Sequence, residues 1–366
     1  MQAATRITMR IAPRVANRSC ALRYLHASPA AAANVASIVG TGPPPEAPVP
    51  DRAVLHERVA RRRKQAEMLK TAKDIRSAKD GSKTGFSQRF WKDVSVKEVD
   101  GVLQVFLDAR PLRHPSTKEI VRIPTSKPTL ATAIALEWDL LTSSQQATKE
   151  HLIPLTSLVC RAIDIAKDDT SSVAEADKIR TLVTTQVLRY LDTDSLLCWA
   201  PPAGKFDLRN DAGESLRDVQ KQVAEETIAF LTTHTWPGVK IVPVLDGDSI
   251  MPRAQEAGVR EIVQGWIMGL DAWELAGLER AVLAGKSLLA AARFVVDWSE
   301  GPVGVPAPKS ARFGVEEAAL ATSLEVDWQT SQWGEVDDTH DVHKEDVRRQ
   351  LGSVVLLVSG DAKQEK

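Results

Sequence analysis

The chain has 366 residues, 43% hydrophobic and 26% charged, which is the composition of a globular protein long enough for two ordinary domains or for one domain with tails. Its formal net charge of −1 hides a split, with 16 Lys/Arg against 6 Asp/Glu in residues 1–83 and 31 against 42 in the remainder. Three cysteines (Cys20, Cys160 and Cys198) make neither a C-x-x-C pair nor an even disulfide framework, and no apolar run approaches the roughly 20 residues that cross a bilayer, so a soluble protein of a reducing compartment is expected.

Residues 1–40 read as a mitochondrial presequence. No Asp or Glu occurs between Met1 and Pro45, and Arg6, Arg10, Arg14, Arg18 and Arg23 recur among Ile7, Ile11, Val15 and Leu22. A secretory signal needs an unbroken apolar centre, which these arginines interrupt. Cleavage is expected near Arg23-Tyr24-Leu25-His26-Ala27-Ser28, delivering the protein to the matrix.

Residues 41–85 begin with five prolines (Pro43, Pro44, Pro45, Pro48 and Pro50), an extended linker composition. A basic helical segment, His56 to Lys83, follows with Arg61-Arg62-Arg63-Lys64 at its centre. It lacks the aromatic interleaving of a base-stacking surface, so a solvated charged face is expected and nucleic acid is not.

From Phe86 the pattern changes to strands. Val94 and Val96 precede an Asp100-Gly101 turn, and Val102, Leu103, Val105, Phe106 and Leu107 follow it, which is a hairpin signal. Another strand is expected over Glu119 to Ile123. Thr129 to Leu141 carries Leu130, Ala133, Ile134, Leu136, Trp138 and Leu141 at helical spacing, a helix suited to covering the sheet. Residues 86–151 are thus expected to form a β-rich domain with a covering helix.

Residues 152–360 read as a helical bundle. Periodic runs lie at Leu155 to Ala166, Val173 to Leu191, Ser215 to Thr233, Val259 to Leu270, Trp273 to Leu283, Lys286 to Trp298, Val315 to Gln329 and Lys344 to Val358. Val239 to Leu245, containing Pro243, should be extended, and Gly301 to Pro308 a loop. The expected class is α+β, a small N-terminal β-rich domain followed by a C-terminal orthogonal helical bundle.

Catalytic motifs are absent from the sequence. Gly285-Lys286-Ser287 resembles the end of a phosphate loop, but position 280 holds Arg where that loop needs Gly. Asp337, Asp338, His340 and His343 allow a metal-dependent hydrolase as an alternative, although two histidines three apart are an incomplete metal site; the simpler reading makes Asp338 and Thr339 helix caps. Asp192 and Asp194 read as a helix terminus rather than a catalytic pair. A matrix RNA-binding factor using Arg61 to Lys64 is a further alternative. No metal and no cofactor is expected.

Several segments occur in a family order. They are Arg89-Phe90-Trp91-Lys92, Leu107-Asp108 with Arg110-Pro111-Leu112, Ile123-Pro124-Thr125, Ala135-Leu136-Glu137-Trp138-Asp139, Pro154-Leu155-Thr156-Ser157-Leu158, Leu324-Glu325-Val326-Asp327-Trp328-Gln329, Gln332-Trp333-Gly334-Glu335-Val336 and Asp338-Thr339-His340-Asp341. Together they closely resemble the mitochondrial ATP synthase F(1) complex assembly factor 2 family, from about Arg89 to Val358, in a fungal-like form. The resemblance implies a non-enzymatic chaperone that binds the unassembled ATP synthase alpha subunit until the beta subunit replaces it, and a protein monomeric when free. It also marks Glu325, with Asp327, Trp328, Gln329, Trp333 and Gly334, as the partner-binding set. The competing reading buries the tryptophans in the core and makes Glu325 a cap or internal ion pair. Residues 313–366 carry 12 acids against 5 bases, which suits a partner of opposite charge or simply solubility.

Overall fold

The computed structural model describes residues 89–360, apart from 173, 175–177, 248–250, 306–311 and 337, together with Arg62 and Lys64 upstream. The expected presequence and linker, and most of the basic segment, lie outside the described residues. Arg62 and Lys64 are helical.

The hairpin forms where expected. Strands β1 (Val94–Val99) and β2 (Val102–Leu107) pair antiparallel, with Val99 opposite Val102 across Asp100 and Gly101. Those two residues have φ of 53° and 72°, the left-handed pair that matches a two-residue turn to strand twist. A two-residue strand, β3 (Arg110–Pro111), completes the sheet in the order β1-β2-β3. The strand expected over Glu119 to Ile123 is only two isolated bridges, Arg113 with Ile120 and Leu103 with Ile123. The backbone changes partner along this stretch, Val121 N donating to Leu112 O and Ile123 N to Leu103 O, so no continuous ladder builds.

Helix α1 (Pro128–Asp139) opens with proline, whose missing N–H costs nothing in a first turn, and packs against β1 and β2 through Leu130, Ala131, Ile134 and Trp138. Lys127, just before it, is 4% exposed and ion-paired with Glu300 at 2.6 Å. Its Nζ also donates to Val358 O and Ser359 O, at 3.3 and 3.0 Å. These carbonyls end the last helix, so one buried cation neutralises that helix terminus and ties the β-rich part to the bundle.

The bundle comprises α2 (Pro154–Asp169), α3 (Ile179–Leu188), α4 (Leu216–His234), α5 (Val259–Gly269), α6 (Ala272–Gly285), α7 (Leu288–Trp298), α8 (Val315–Trp333) and α9 (His340–Val358). α6 is its centre, contacting α2, α3, α7, α8 and α9. Close approach of α9 depends on Gly277, where a Cβ would lie 2.6 Å from Val358 Cγ1. Both α4 and α6 start with capping boxes, Ser215 with Asp218 and Asp271 with Glu274. α3 is shorter than the expected run from Val173. Ser171, Ser172, Ala174 and Lys178 are not helical, and Asp168 Oδ2 accepts from Ile179 N at 2.6 Å to start the helix there.

The phosphate-loop fragment is a helix junction. Gly285 ends α6, Lys286 takes the left-handed conformation at φ 57°, and Ser287 caps α7 by accepting from Ala290 N. Asp194 reaches into this junction, fully buried. Its carboxylate accepts from Leu196 N, Leu288 N and Leu289 N at 2.9, 2.7 and 2.9 Å, and burial pushes its pKa up to about 6. Asp192 follows the short helix Arg189–Leu191 and pairs with Arg260. The two aspartates therefore stand at chain ends of local structure, as their sequence reading held.

Val239 to Leu245 is extended in part, without strand pairing beyond a single bridge of Leu245 with Cys198. The Gln255 side chain engages both backbone groups of Val242, accepting from its N–H at 3.0 Å and donating to its carbonyl at 2.8 Å. Val244 N and Leu245 N donate to Leu197 O, so the segment's backbone is committed internally.

Candidate functional site

The family-ordered segments at the start of the chain converge on one internal knot. Arg89 Nη1 donates to the carbonyl and to Oδ1 of Asp139, at 2.6 and 3.1 Å, and its Nη2 to Lys92 O. Asp108 Oδ1 accepts from the backbone N–H groups of Lys92 and Asp93, which hold its carboxyl below the usual range. Trp91, 1% exposed, packs on Trp138 with ring centroids 5.4 Å apart.

Glu137 caps α2 from outside it. Ile153 before α2 offers no capping side chain, so Glu137 Oε1 accepts from Leu155 N at 2.8 Å and Oε2 from Thr156 N and Thr156 Oγ1 at 3.0 and 2.7 Å. Trp138 Nε1 donates to the same Thr156 hydroxyl. Burial raises the Glu137 pKa against the opposing pull of these bonds. Sequence reasoning placed Glu137 in a family-ordered segment but assigned it no role; a capless Pro154 start with an acid one motif earlier was the further signal that could have found it.

The C-terminal segments are arranged in the opposite way. α8 extends to Trp333, beyond the expected end at Gln329, and buries a narrow face of Ala318, Ala319, Ala321 and Thr330. Its chain exit is Gly334 at φ 86°, where a side chain would be strained although nothing lies within 4 Å of a Cβ. α9 starts at His340, one turn earlier than expected. Val336 O accepts from His340 N, and His340 Nδ1 accepts from Val336 N at 3.0 Å, closing the turn. Thr339 occupies the N-cap position but its side chain makes no cap bond.

At this hairpin tip Trp333 is 69% exposed, and Val336 and Val342 are each 58% exposed. The core reading of the tryptophans is therefore wrong for Trp333, because α8 runs past the bundle surface before it ends; Trp328 is half-buried. Glu325 is exposed and accepts from Gln329 Nε2, one turn on, at 3.2 Å. Asp327 turns toward α9, accepting from Ser323 Oγ at 2.7 Å and pairing with Lys344 Nζ at 3.0 Å. Lys344 also pairs with Glu335 at 2.7 Å, and these two carboxylates, Glu335 first, raise its pKa.

Two concavities border the tip. A groove of about 550 Å³ between α8 and α9 is lined by Glu316, Leu320, Asp327, His343, Lys344 and Arg348 among others. On the other face of α8, Glu325 overlooks a pocket of about 170 Å³ with Ser195, Cys198 and Gln220. The six residues singled out by the sequence lie along the outer half of α8 and its exit, with Asp327 facing a different direction from Glu325.

The other clusters of titratable side chains among the described residues are largely paired. A cleft of about 790 Å³ contains His114, Cys160, Arg161 and Glu279. Its Cys160 thiol is pushed up to about 12, by burial and then by Asp164, which keeps it unreactive. His114 Nδ1 accepts from the turn at Ser116 and Thr117, while Nε2 faces Asp164 Oδ1 at 3.3 Å, and Arg161 is paired bidentate with Glu279. Among the described residues no three His, Cys, Asp or Glu side chains converge as metal ligands; Asp337 lies outside them. Arg62 of the basic run faces Asp338 and Asp341.

Comparison with known proteins places this architecture. A family model described as ATP12 chaperone protein matches residues 88–232, ending in α4 before the hairpin. The chain is 31% identical over 280 residues to "Protein atp12, mitochondrial" of Schizosaccharomyces pombe, covering 74% of this chain and 81% of that protein. To "Protein ATP12, mitochondrial" of Saccharomyces cerevisiae it is 33% identical over 281 residues, covering 74% and 83%. Among solved structures, Atp12 from Paracoccus denitrificans superimposes with a TM-score of 0.53 at 21% identity, covering 74% of this chain and 98% of that one. A chain from Agrobacterium tumefaciens gives 0.52 at 22% identity, covering 74% and 85%. These likenesses agree with a three-stranded antiparallel sheet followed by helices, the α+β class expected from the sequence.

Proposed function

Because the chain belongs to the ATP12 chaperone protein family, we propose that it holds an unassembled ATP synthase subunit, the alpha subunit, through the tip of its α8–α9 hairpin. Subunits of an alternating ring expose large interfaces before closure, and those surfaces aggregate or pair wrongly unless they are covered. Such covering needs binding energy alone, without a catalytic step or a cofactor. The relatives are named mitochondrial, and the acid-free, arginine-rich first 45 residues fit import into the matrix by a cleavable presequence.

The observation that carries the docking surface is Trp333. An indole 69% exposed, beside Val336 and Val342, is a large apolar group left without a partner in a fold that buries Trp91 and Trp236 to 1%. The chain around the tip also carries Glu335, Asp338 and Asp341, with Glu325 about two turns before Trp333 on α8, charges that suit a basic partner. Hydrolase and RNA-binding alternatives are not favoured. His340 is used as a turn staple, and Arg62 is directed at carboxylates.

Binding of purified alpha and beta subunits to the mature chain and to Trp333→Ala tests this. The expected result is selective binding of alpha, weakened about 30-fold in the variant while its unfolding midpoint stays unchanged, as for an interface anchor of about 2 kcal/mol. Equal binding of alpha and beta would overturn the client, and an unweakened variant would overturn the surface.

A further inference from the structure

A surface of unbalanced charge lies where the β-rich part meets the bundle. The cleft beside His114 and Cys160 and a neighbouring concavity of about 540 Å³ flank the turn from His114 to Lys118, and Arg113 lines both. Most acids in their walls are already committed. Glu279 holds Arg161 with both oxygens, Asp164 faces His114 Nε2 at 3.3 Å, and Glu119 pairs with Lys167 at 2.7 Å. The charges left over are Arg113, Lys118, Arg122 and Arg280 against Glu150. Among the described residues none of these four cations has a carboxylate partner; Arg113 Nη1 and Lys118 Nζ reach only the backbone carbonyls of Lys118 and Pro115. The turn between them is fixed from inside, since buried His114 accepts at Nδ1 from Ser116 N and Thr117 N while its backbone N–H donates to Glu119 O. Trp138, Ile153, Leu158 and Leu283 add an apolar wall to the larger cleft.

We infer that this groove is a docking site for an acidic, extended segment of a protein partner, with carboxylates along Arg122, Arg113 and Arg280 and an apolar side chain against the wall of the larger cleft. Charge decides the class of partner. The acidic tip suits a basic surface and the groove an acidic one, so the two do not compete for the same segment. Distribution decides its form. Arg122 lines only the smaller concavity, Arg280 only the larger, and Arg113 both, so the cations follow one another instead of converging on one small anion. A nucleic-acid strand would need open rings for stacking, and Trp138, the one Trp, Phe or Tyr in these walls, is 8% exposed. Each guanidinium can take a carboxylate through two parallel hydrogen bonds, and because His114 holds the turn before anything binds, little ordering is required of the protein. Groove and tip are separate surfaces, and occupancy of the groove does not depend on the identity of the client.

The test uses the full mature chain and a short fluorescent peptide of alternating Glu and Ser around a central Leu, read by anisotropy. The Arg61-Arg62-Arg63-Lys64 run also attracts acids, so variants decide where the peptide sits. R113Q/R122Q/R280Q is expected to weaken binding about tenfold at about 50 mM salt. K97Q/K205Q/K221Q, which removes the same charge at exposed positions outside both concavities, should weaken it less than about twofold. On the natural sequence, benzophenone-alanine in place of the peptide's Leu should cross-link to the wall around Ile153, Leu158 and Leu283, a result that stands whether or not the variants fold well. Equal losses in the two triple variants, or cross-links confined to residues outside the groove, overturn the site. Displacement of the peptide at constant ionic strength by inorganic phosphate or by oligouridine, as readily as by unlabelled peptide, overturns the protein segment as its occupant.

Discussion

The family-ordered residues finish in two opposite ways. In the knot around Glu137, Arg89 and Asp108, every carboxylate oxygen aimed inward meets backbone N–H groups, and the indoles of Trp91 and Trp138 are buried. At the hairpin tip the carboxylates reach side chains instead, among them the half-buried Lys344, and the indole of Trp333 faces outward. The knot lies beside the middle of α9, where Arg349 Nη1 donates to His151 O and its charge acts on Glu137, whereas the tip lies at the N-terminal end of that helix. The family-ordered carboxylates of the knot thus serve architecture, although Trp91 Nε1 is buried without a hydrogen-bond partner, while on the proposed reading the tip is left for a partner.

The sharpest break of that comparison is Glu137→Ala. It orphans two buried backbone N–H groups and the Thr156 hydroxyl together, and is expected to cost about 3–5 kcal/mol in urea unfolding. If the loss were under about 1 kcal/mol, internal satisfaction would not be what selects these residues.

A second test addresses Asp194, the buried acid outside both regions. Its pKa in the folded chain, about 6, lies above the ordinary carboxyl value, so the folded state holds this proton where the unfolded chain has released it. The stability associated with the group is full below about pH 4 and is lost as pH rises toward 6, an amount of about 3 kcal/mol. The stability of the natural chain relative to Asp194→Asn should therefore fall by about that much between pH 4 and pH 7, read as urea midpoints at several pH values. A pH-independent difference would mean that the backbone donors at the α6–α7 junction fully offset burial.

Much of this division was legible before any coordinates, and the reasons for the exceptions are local. The hairpin turn at Asp100-Gly101 and the stripe Val259, Val263 and Ile267 of α5 follow from residue chemistry and period alone. Period could not say that the run from Val173 is broken, because the start of α3 is set by Asp168, a side chain on the preceding helix. Nor could it place Glu137, which caps a helix to which it does not belong. Val239 to Leu245 has strand composition, yet a glutamine side chain takes the hydrogen bonds a neighbouring strand would make. Trp333 was ambiguous because burial of an indole depends on how far α8 runs beyond its supporting helices, a tertiary fact.

The smallest expected effect bears most directly on the tip. Lys344 joins Asp327 on α8 to Glu335 after Gly334, with the three side chains 28%, 24% and 47% exposed. Half-buried surface pairs of this kind contribute modestly, so Lys344→Met, which keeps the aliphatic stem, should lower stability by about 0.5–1 kcal/mol, an effect that weakens in high salt. Its consequence for binding should be larger in proportion. The clamp holds the Gly334 turn from which Trp333 projects, and losing that preorganisation is expected to weaken alpha-subunit binding about threefold. A stability loss as large as that of Glu137→Ala would erase the distinction between the two regions, because the tip would then be part of the protein's own architecture. Weakened binding in a stable protein would instead locate Lys344 as a positioning residue, setting the angle at which an otherwise unsatisfied indole meets its partner.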